Sequence, residues 1–284
     1  MKTSQDLPDV QSYDDGRNLG IDQVGVTSVA HPIRFISFPE SGEDLQNTIG
    51  TFDLFVSLRP SVKGTHMSRL VQLLRGWHQP LDYASTIELC GVLRERMEAE
   101  RALVKVRFPF FVDRDAPVTG ESGVLRLDVE LEAAIDHRRD LIVTVAGPAM
   151  SLCPCSKEIA DYGAHSQRCQ LTVSVRFRRE SESLSINELF RMMEQAASAR
   201  VYSILKRSDE KRVTEDAYDN PKFVEDTIRD LALSLKSVSN IAWFRCATEN
   251  FESIHQHNAY ACIERSTNGG PNNGHNSSRA TQYG

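Results

Sequence analysis

Leu171-Thr172-Val173-Ser174-Val175-Arg176-Phe177 alternates apolar and polar side chains, so an extended segment here carries Leu171, Val173, Val175 and Phe177 on one face. That period of two predicts a half-buried strand. The period then changes to a helical one. Ser185 and Glu188 are spaced as a capping box, and Ile186, Leu189, Phe190, Met193 and Ala197 form one apolar stripe. Another helix is predicted from Asn220-Pro221, since proline suits the first helical position, with Val224, Ile228, Leu231 and Leu235 on its buried side. Strands at 242–247 and 259–263 close the block. Strand, helices and strands in that order predict an antiparallel sheet covered by helices on one face.

The same pattern precedes this block. Phe52, Leu54, Val56 and Leu58 alternate with Asp53 and Ser57, and Met67, Leu70, Val71 and Leu74 recur at helical spacing. A second helix is read with Ser85 and Glu88 as its capping box. Alternation returns at Val104, Val106 and Phe108 and again at Leu125, Leu127, Val129 and Leu131, and residues 141–145 add a more apolar strand. The fold class is therefore α+β, with two tandem antiparallel-sheet modules expected at residues 26–150 and 151–265. Residues 1–25 are polar and 266–284 are rich in Gly, Asn and Ser, so both are read as disordered tails.

Composition narrows the function. The 284 residues are 40% hydrophobic, enough for a substantial core. The formal net charge of -6 provides no global basic field for nucleic acid or an anionic membrane, so a polyanionic substrate needs a local cationic cluster. The N-terminus lacks the apolar core of a secretory signal, no stretch matches a membrane span, and the six cysteines are too sparse for a disulfide scaffold. A cytoplasmic location is expected, with thiolates free to bind metal.

Three clusters carry ligand-type chemistry. The first is the loop at 152–168, with Cys153, Cys155 and His165, where thiolate and imidazole suit a borderline-soft cation. Free cysteines also pack as small hydrophobes, so spacing alone leaves both readings open. The second, Lys206-Arg207-Ser208-Asp209-Glu210-Lys211, reads either as a solvated helix C-terminus or as a carboxylate for metal beside cations for phosphate. The third, His255-Gln256-His257, puts both imidazoles on one side if extended, as ligand and proton shuttle or as two exposed turn residues. Glu225 borders the Val224 and Ile228 stripe, either as a first-turn acid favoured by the helix dipole or as an acceptor for the paired N–H groups of a guanine edge.

Together, Cys153-Pro154-Cys155-Ser156-Lys157-Glu158-Ile159 with Tyr162-Gly163-Ala164-His165, Leu205-Lys206-Arg207-Ser208-Asp209-Glu210, Asn220-Pro221-Lys222-Phe223-Val224-Glu225-Asp226 and Glu252-Ser253-Ile254-His255-Gln256-His257 resemble the GTP cyclohydrolase IB family. Lys63-Gly64-Thr65-His66-Met67-Ser68-Arg69 extends the resemblance, which covers roughly residues 25–264. Ser166 departs from the pattern, since many members have Asn there. The resemblance implies the tunnelling fold, a homotetramer with active sites at subunit interfaces, and hydrolysis of GTP to 7,8-dihydroneopterin triphosphate and formate, the first step of tetrahydrofolate synthesis. It further implies one divalent metal per site, zinc, manganese or iron, on Cys153, His165, Glu210 and His255. Cys153 is preferred to Cys155 because the family places its active-site thiol at the first cysteine of the loop. Glu225 matches the acid that anchors the purine.

Ring opening requires protonation of the leaving nitrogen, for which His257 is the expected donor, and Arg168, Lys206, Arg207 and Arg69 are the expected triphosphate cations. A competing reading within the fold is a thiol enzyme acting on a pterin or deazapurine, with Cys153 as covalent nucleophile, no stoichiometric metal and a need for NADPH in a reduction. A third is a non-catalytic protein with structural zinc, against which a carboxylate among the ligands argues.

Overall fold

Each alternating run forms a strand of one sheet in the computed structural model, which describes residues 9–37, 45–179 and 183–267. The order is β1 (Ile21–Phe35), β2 (Gln46–Leu58), α1 (Met67–Arg75), α2 (Tyr83–Arg96), β3 (Ala102–Asp115), β4 (Ser122–Ile135) and β5 (Arg139–Leu152). There follow α3 (Pro154–Ile159), β6 (Ser166–Phe177), α4 (Ile186–Ala196), α5 (Arg207–Asp219), α6 (Val224–Ser237), β7 (Ile241–Asn250) and β8 (Ala259–Ser266). The eight strands lie in sequence order, each antiparallel to the next.

One face of the sheet is dry. Val104, Val106, Leu127, Leu131, Val143, Val145, Leu171 and Val173 are wholly buried beneath α2, α4 and α6, each such side chain contributing about 1.5–3 kcal/mol of transfer free energy. The opposite face is polar. Lys105 pairs with Glu132 at 2.7 Å, Arg107 with Asp53 at 2.8 Å, and Thr144 hydrogen-bonds Ser174 at 2.8 Å. Helices therefore cover one face only, because the side-chain period of two separates the apolar set from the charged set.

Capping explains where the helices start. Ser185 and Glu188 do form the expected box, Ser185 N–H donating to Glu188 Oε2 at 2.8 Å and Glu188 N–H to Ser185 Oγ at 3.2 Å. At α2 the box shifts by one turn, with Asp82 as N-cap and Ser85 as its reciprocal partner, while Glu88 accepts from Gln79 Nε2. On α1 the expected stripe is half right: Leu70 and Leu74 are buried, Leu73 joins them, and Met67 and Val71 face solvent. α6 starts at Val224, because the Asn220 side chain is held by the Ala197 and Ser198 carbonyls and Lys222 N–H donates to Leu152 O.

Two boundaries differ from expectation. Residues 9–25 are no tail: Lys63 N–H donates to Tyr13 O, Gly64 N–H to Gln11 O, and β1 begins at Ile21. Its alternation is masked by breaks in register between Ile21 and Val24 and between Val26 and Val29, and by the exposure of an edge strand. The strand–helix–strand repeat joins at the turn 136–138, since β5 begins at Arg139, rather than at residue 150. Residues 1–8 and 268–284 of the expected tails lie outside the described residues. No helix among the described residues is long and apolar enough to cross a membrane.

Candidate metal centre

Antiparallel order puts the ends of β1, β3, β5 and β7 on one rim with the starts of β2, β4, β6 and β8. Cys153, His165, His255 and His257 lie in connections at this rim. β5 ends at Leu152, and Cys153 follows as N-cap of α3, with Pro154 at the first helical position. The loop then closes on itself. Cys153 N–H donates to His165 O at 3.2 Å, Ser156 Oγ donates to Cys153 O at 3.0 Å, and His165 N–H donates to Ser156 Oγ at 3.2 Å. Ser156 N–H also reaches Cys153 Sγ at 3.5 Å. A half-buried thiol and imidazole are thus fixed at the two ends of one clamp.

The His165 tautomer follows from its neighbours. Gln167 Nε2 donates to Glu252 Oε1 at 3.4 Å, so Gln167 Oε1 is the acceptor for His165 Nδ1 at 2.9 Å. Ser253 Oγ lies 3.5 Å from the same nitrogen. Nε2 then carries the lone pair and has no partner among the described residues, the arrangement in which a histidine serves as a metal ligand oriented from behind.

The loop 251–258 joins β7 to β8 on the same rim. It is not extended, yet the His255 and His257 rings stack at 5.2 Å with 15° between planes, so both imidazoles do lie together. Glu252 and Ser253 tie this loop to His165.

The basic cluster is the start of a helix and not the end of one. Asp209 is buried in the first turn of α5 and accepts from Lys206 N–H at 2.9 Å, Val118 N–H at 2.8 Å and Thr119 N–H at 2.9 Å. Burial pushes its carboxyl upward, but the Thr119 hydroxyl and these amides outweigh that and hold it at about 2. This anchor pins α5 to the β3–β4 turn and leaves Glu210, Lys206 and Arg207 exposed on the rim. Glu225 is exposed in the first turn of α6, one turn before the buried Ile228.

Two of the proposed phosphate cations fall elsewhere. Arg168 lies on β6 with the parity of Thr172 and Ser174, on the open polar face. Arg69 is exposed at the start of α1, which packs on β1 at the other edge of the sheet. Sequence reading missed Ser156, Gln167 and Ser253, although a serine three residues after an N-cap and a glutamine two residues after a candidate ligand are visible signals.

The donor chemistry of thiolate, imidazole and carboxylate fits a borderline divalent cation. Within one chain, however, the described residues contain no group of three or more His, Cys, Asp or Glu placed to share an ion. Beside the loop, a cavity of about 660 Å³ is lined by Tyr162, Gly163, Ala164, Thr214, Ala217 and Tyr218 among others, and Glu210 lies one helical turn beyond Thr214.

Residues 7–261 match the family model described as type I GTP cyclohydrolase folE2. The GTP cyclohydrolase FolE2 of Syntrophobacter fumaroxidans is 44% identical over 260 residues, 91% of this chain and 99% of that protein. That of Fervidobacterium nodosum is 42% identical over 259 residues, 90% of this chain and 97% of that one. Among solved structures, urate oxidase from Bacillus sp. TB-90 superimposes with a TM-score of 0.51 over 87% of this chain and all (100%) of that chain at 7% identity. At that identity the likeness speaks for the fold alone, which is the tunnelling fold.

Proposed function

The chain belongs to the type I GTP cyclohydrolase FolE2 family, and we propose that it hydrolyses GTP to 7,8-dihydroneopterin triphosphate and formate at a centre built from Cys153, His165, Glu210 and His255. GTP cyclohydrolase activity opens folate and pterin synthesis. The observation that carries the site is the clamp joining Cys153 to His165, with His165 Nε2 left open by the Gln167 contact.

A divalent ion held by these four residues supplies, when bound, Lewis acidity towards water and the purine ring. The protein's own groups do the rest. Glu225 accepts the paired N–H groups of the guanine edge and fixes the ring. His257, stacked on His255, gives a proton to the ring nitrogen as its bond to C8 breaks. Lys206 and Arg207 at the start of α5 neutralise the triphosphate. Zinc, manganese and iron all suit the donor set.

The centre is completed between subunits of a homotetramer in the cytoplasm. Two features support assembly: among the described residues of one chain no three ligands are placed to share an ion, and the outer edges of β1 and β8 have no strand partner. Chelated protein reloaded separately with zinc, manganese or iron tests the reaction. Formate and an oxidisable fluorescent pterin are expected from GTP, and their absence with every metal would end the proposal. Turnover that survives complete chelation would instead favour Cys153 as a covalent nucleophile.

A further inference from the structure

On the same rim, but outside the centre just described, a buried carboxylate holds too many cations. The Glu194 side chain, in the last turn of α4, is fully buried. Arg114 Nη2 donates to both of its oxygens at 2.7 Å, and the Arg114 guanidinium lies against the Phe190 ring at 5.8 Å. Arg200 Nε is 3.6 Å from Glu194 Oε2, too long for a hydrogen bond. Arg191 stands one turn before Glu194 on α4 and is exposed.

Glu194 forms part of the wall between two cavities of about 460 Å³ each. Arg114, Arg191 and Arg200 all line the first, and Arg200 and Tyr202 line the second. The other charges do not balance them. Asp113 is an exposed residue of the first cavity, and Asp216 in the second is paired with Arg212 at 2.8 Å. Arg114 Nε is buried with no hydrogen-bond partner. A partly buried cationic surplus with unused donors is costly until an anion supplies the missing acceptors.

We propose that Arg114, Arg191 and Arg200 form a site for a phosphate-type oxyanion, with Glu194 as the positioning residue that fixes the Arg114 fork. Planar guanidinium groups match phosphate oxygens two at a time. The location connects the site to the centre: Ser198, four residues past Glu194, accepts the Leu152 N–H at 3.1 Å, immediately before Cys153. The anion is either the polyphosphate end of the nucleotide, which rests on the function proposed above, or free phosphate.

The test uses metal-loaded full-length protein and the variants Arg200→Ala and Arg191→Ala/Arg200→Ala, whose side chains are the more exposed, with Arg200→Lys to keep the charge but lose the fork. Calorimetric titration with inorganic tripolyphosphate and with orthophosphate is expected to show binding in the wild type. Loss of about tenfold or more is expected in the double variant, the size of one or two charge-assisted hydrogen bonds, with unchanged circular dichroism. A parallel rise in KM for GTP assigns the anion to the nucleotide, and an unchanged KM assigns it to free phosphate. Equal titration curves for wild type and double variant, or no binding of either ion by the wild type, overturn the site. Failure of the wild type to turn over GTP counts against the proposed reaction and leaves the titration to judge the anion site alone.

Discussion

The backbone N–H of Cys153 donates to the carbonyl of His165 at 3.2 Å, which brings together two candidate ligands separated by a helical turn and a loop. Ser156 reinforces that closure through its hydroxyl, donating to Cys153 O and accepting from His165 N–H. Ser156→Ala removes both contacts while leaving every proposed ligand in place. We expect metal affinity to fall by about 10–100-fold, the usual cost of removing an outer-shell partner. Because the loop is partly exposed, global stability should change by only about 1 kcal/mol. Competition with a chromogenic chelator, run beside a thermal melt, checks both.

The cysteines divide by environment, which gives a second prediction. Burial pushes the thiols of Cys90 and Cys246 up to about 12 and that of Cys169 to about 11. At pH 8 a thiol with pKa about 12 is thiolate in roughly one molecule in 10⁴. Cys155 and Cys262 are exposed and Cys153 is half-buried. Iodoacetamide at pH 8 should therefore label Cys153, Cys155 and Cys262 in chelated protein, and only Cys155 and Cys262 once metal is restored. Mass spectrometry of tryptic peptides reads this directly. Labelling of Cys153 at the same rate with and without metal would remove it from the ligand set.

How much of this could be read from the sequence depends on which force fixes each element. Strands such as β3, β4 and β6 were legible because one face packs on helices and the other does not, so Val104, Leu127 and Val173 alternate cleanly with charged or polar neighbours. β1 was not, because an edge strand with breaks in register has little burial to impose a pattern. The end of a helix is one of the two readings open at the start of α5, because Lys206 and Arg207 are ordinary C-terminal residues. What decides the matter is Asp209, whose acceptor role depends on the distant Val118 and Thr119 amides. The motifs named Cys153 and His165, but not the hydrogen bonds of Ser156 and Gln167 that orient them, since those require the loop to be closed in space.

Packing of the second helical layer gives a third prediction. A Cβ on Gly147 would come within 2.5 Å of Phe190 Cε2 and 2.7 Å of Leu127 Cδ2, so β5 approaches α4 only because this position has no side chain. Phe190 is itself wholly buried and lies beneath the Arg114 guanidinium, which leaves it little room to shift. Gly147→Ala should destabilise the chain by about 1–3 kcal/mol, the range for overpacking a filled core. Urea unfolding should show a lower midpoint at an unchanged slope.

Assembly supplies the last prediction, because geometry argues against one chain completing its own centre. α3 touches the far end of α5, where Lys157 Nζ sits 4.1 Å from the centroid of the Tyr218 ring. Glu210 lies at the near end of that helix, and the eight steps from Glu210 to Tyr218 span about 12 Å along the axis at 1.5 Å per residue. A carboxylate that far along a rigid helix is better placed to serve a neighbouring subunit's thiol than its own. Cys153→Ala and Glu210→Ala should each abolish GTP turnover when pure. If the two residues act across an interface, subunits mixed by unfolding and refolding together will regain part of the wild-type rate, since a fraction of interfaces then pair an intact Cys153 with an intact Glu210. Random pairing predicts about one quarter of the sites when the variants are equal in amount, each site drawing one residue from each of two chains. No recovery, in mixtures shown by native mass spectrometry to contain hybrid oligomers, would place Cys153 and Glu210 in the same subunit's centre or remove Glu210 from it.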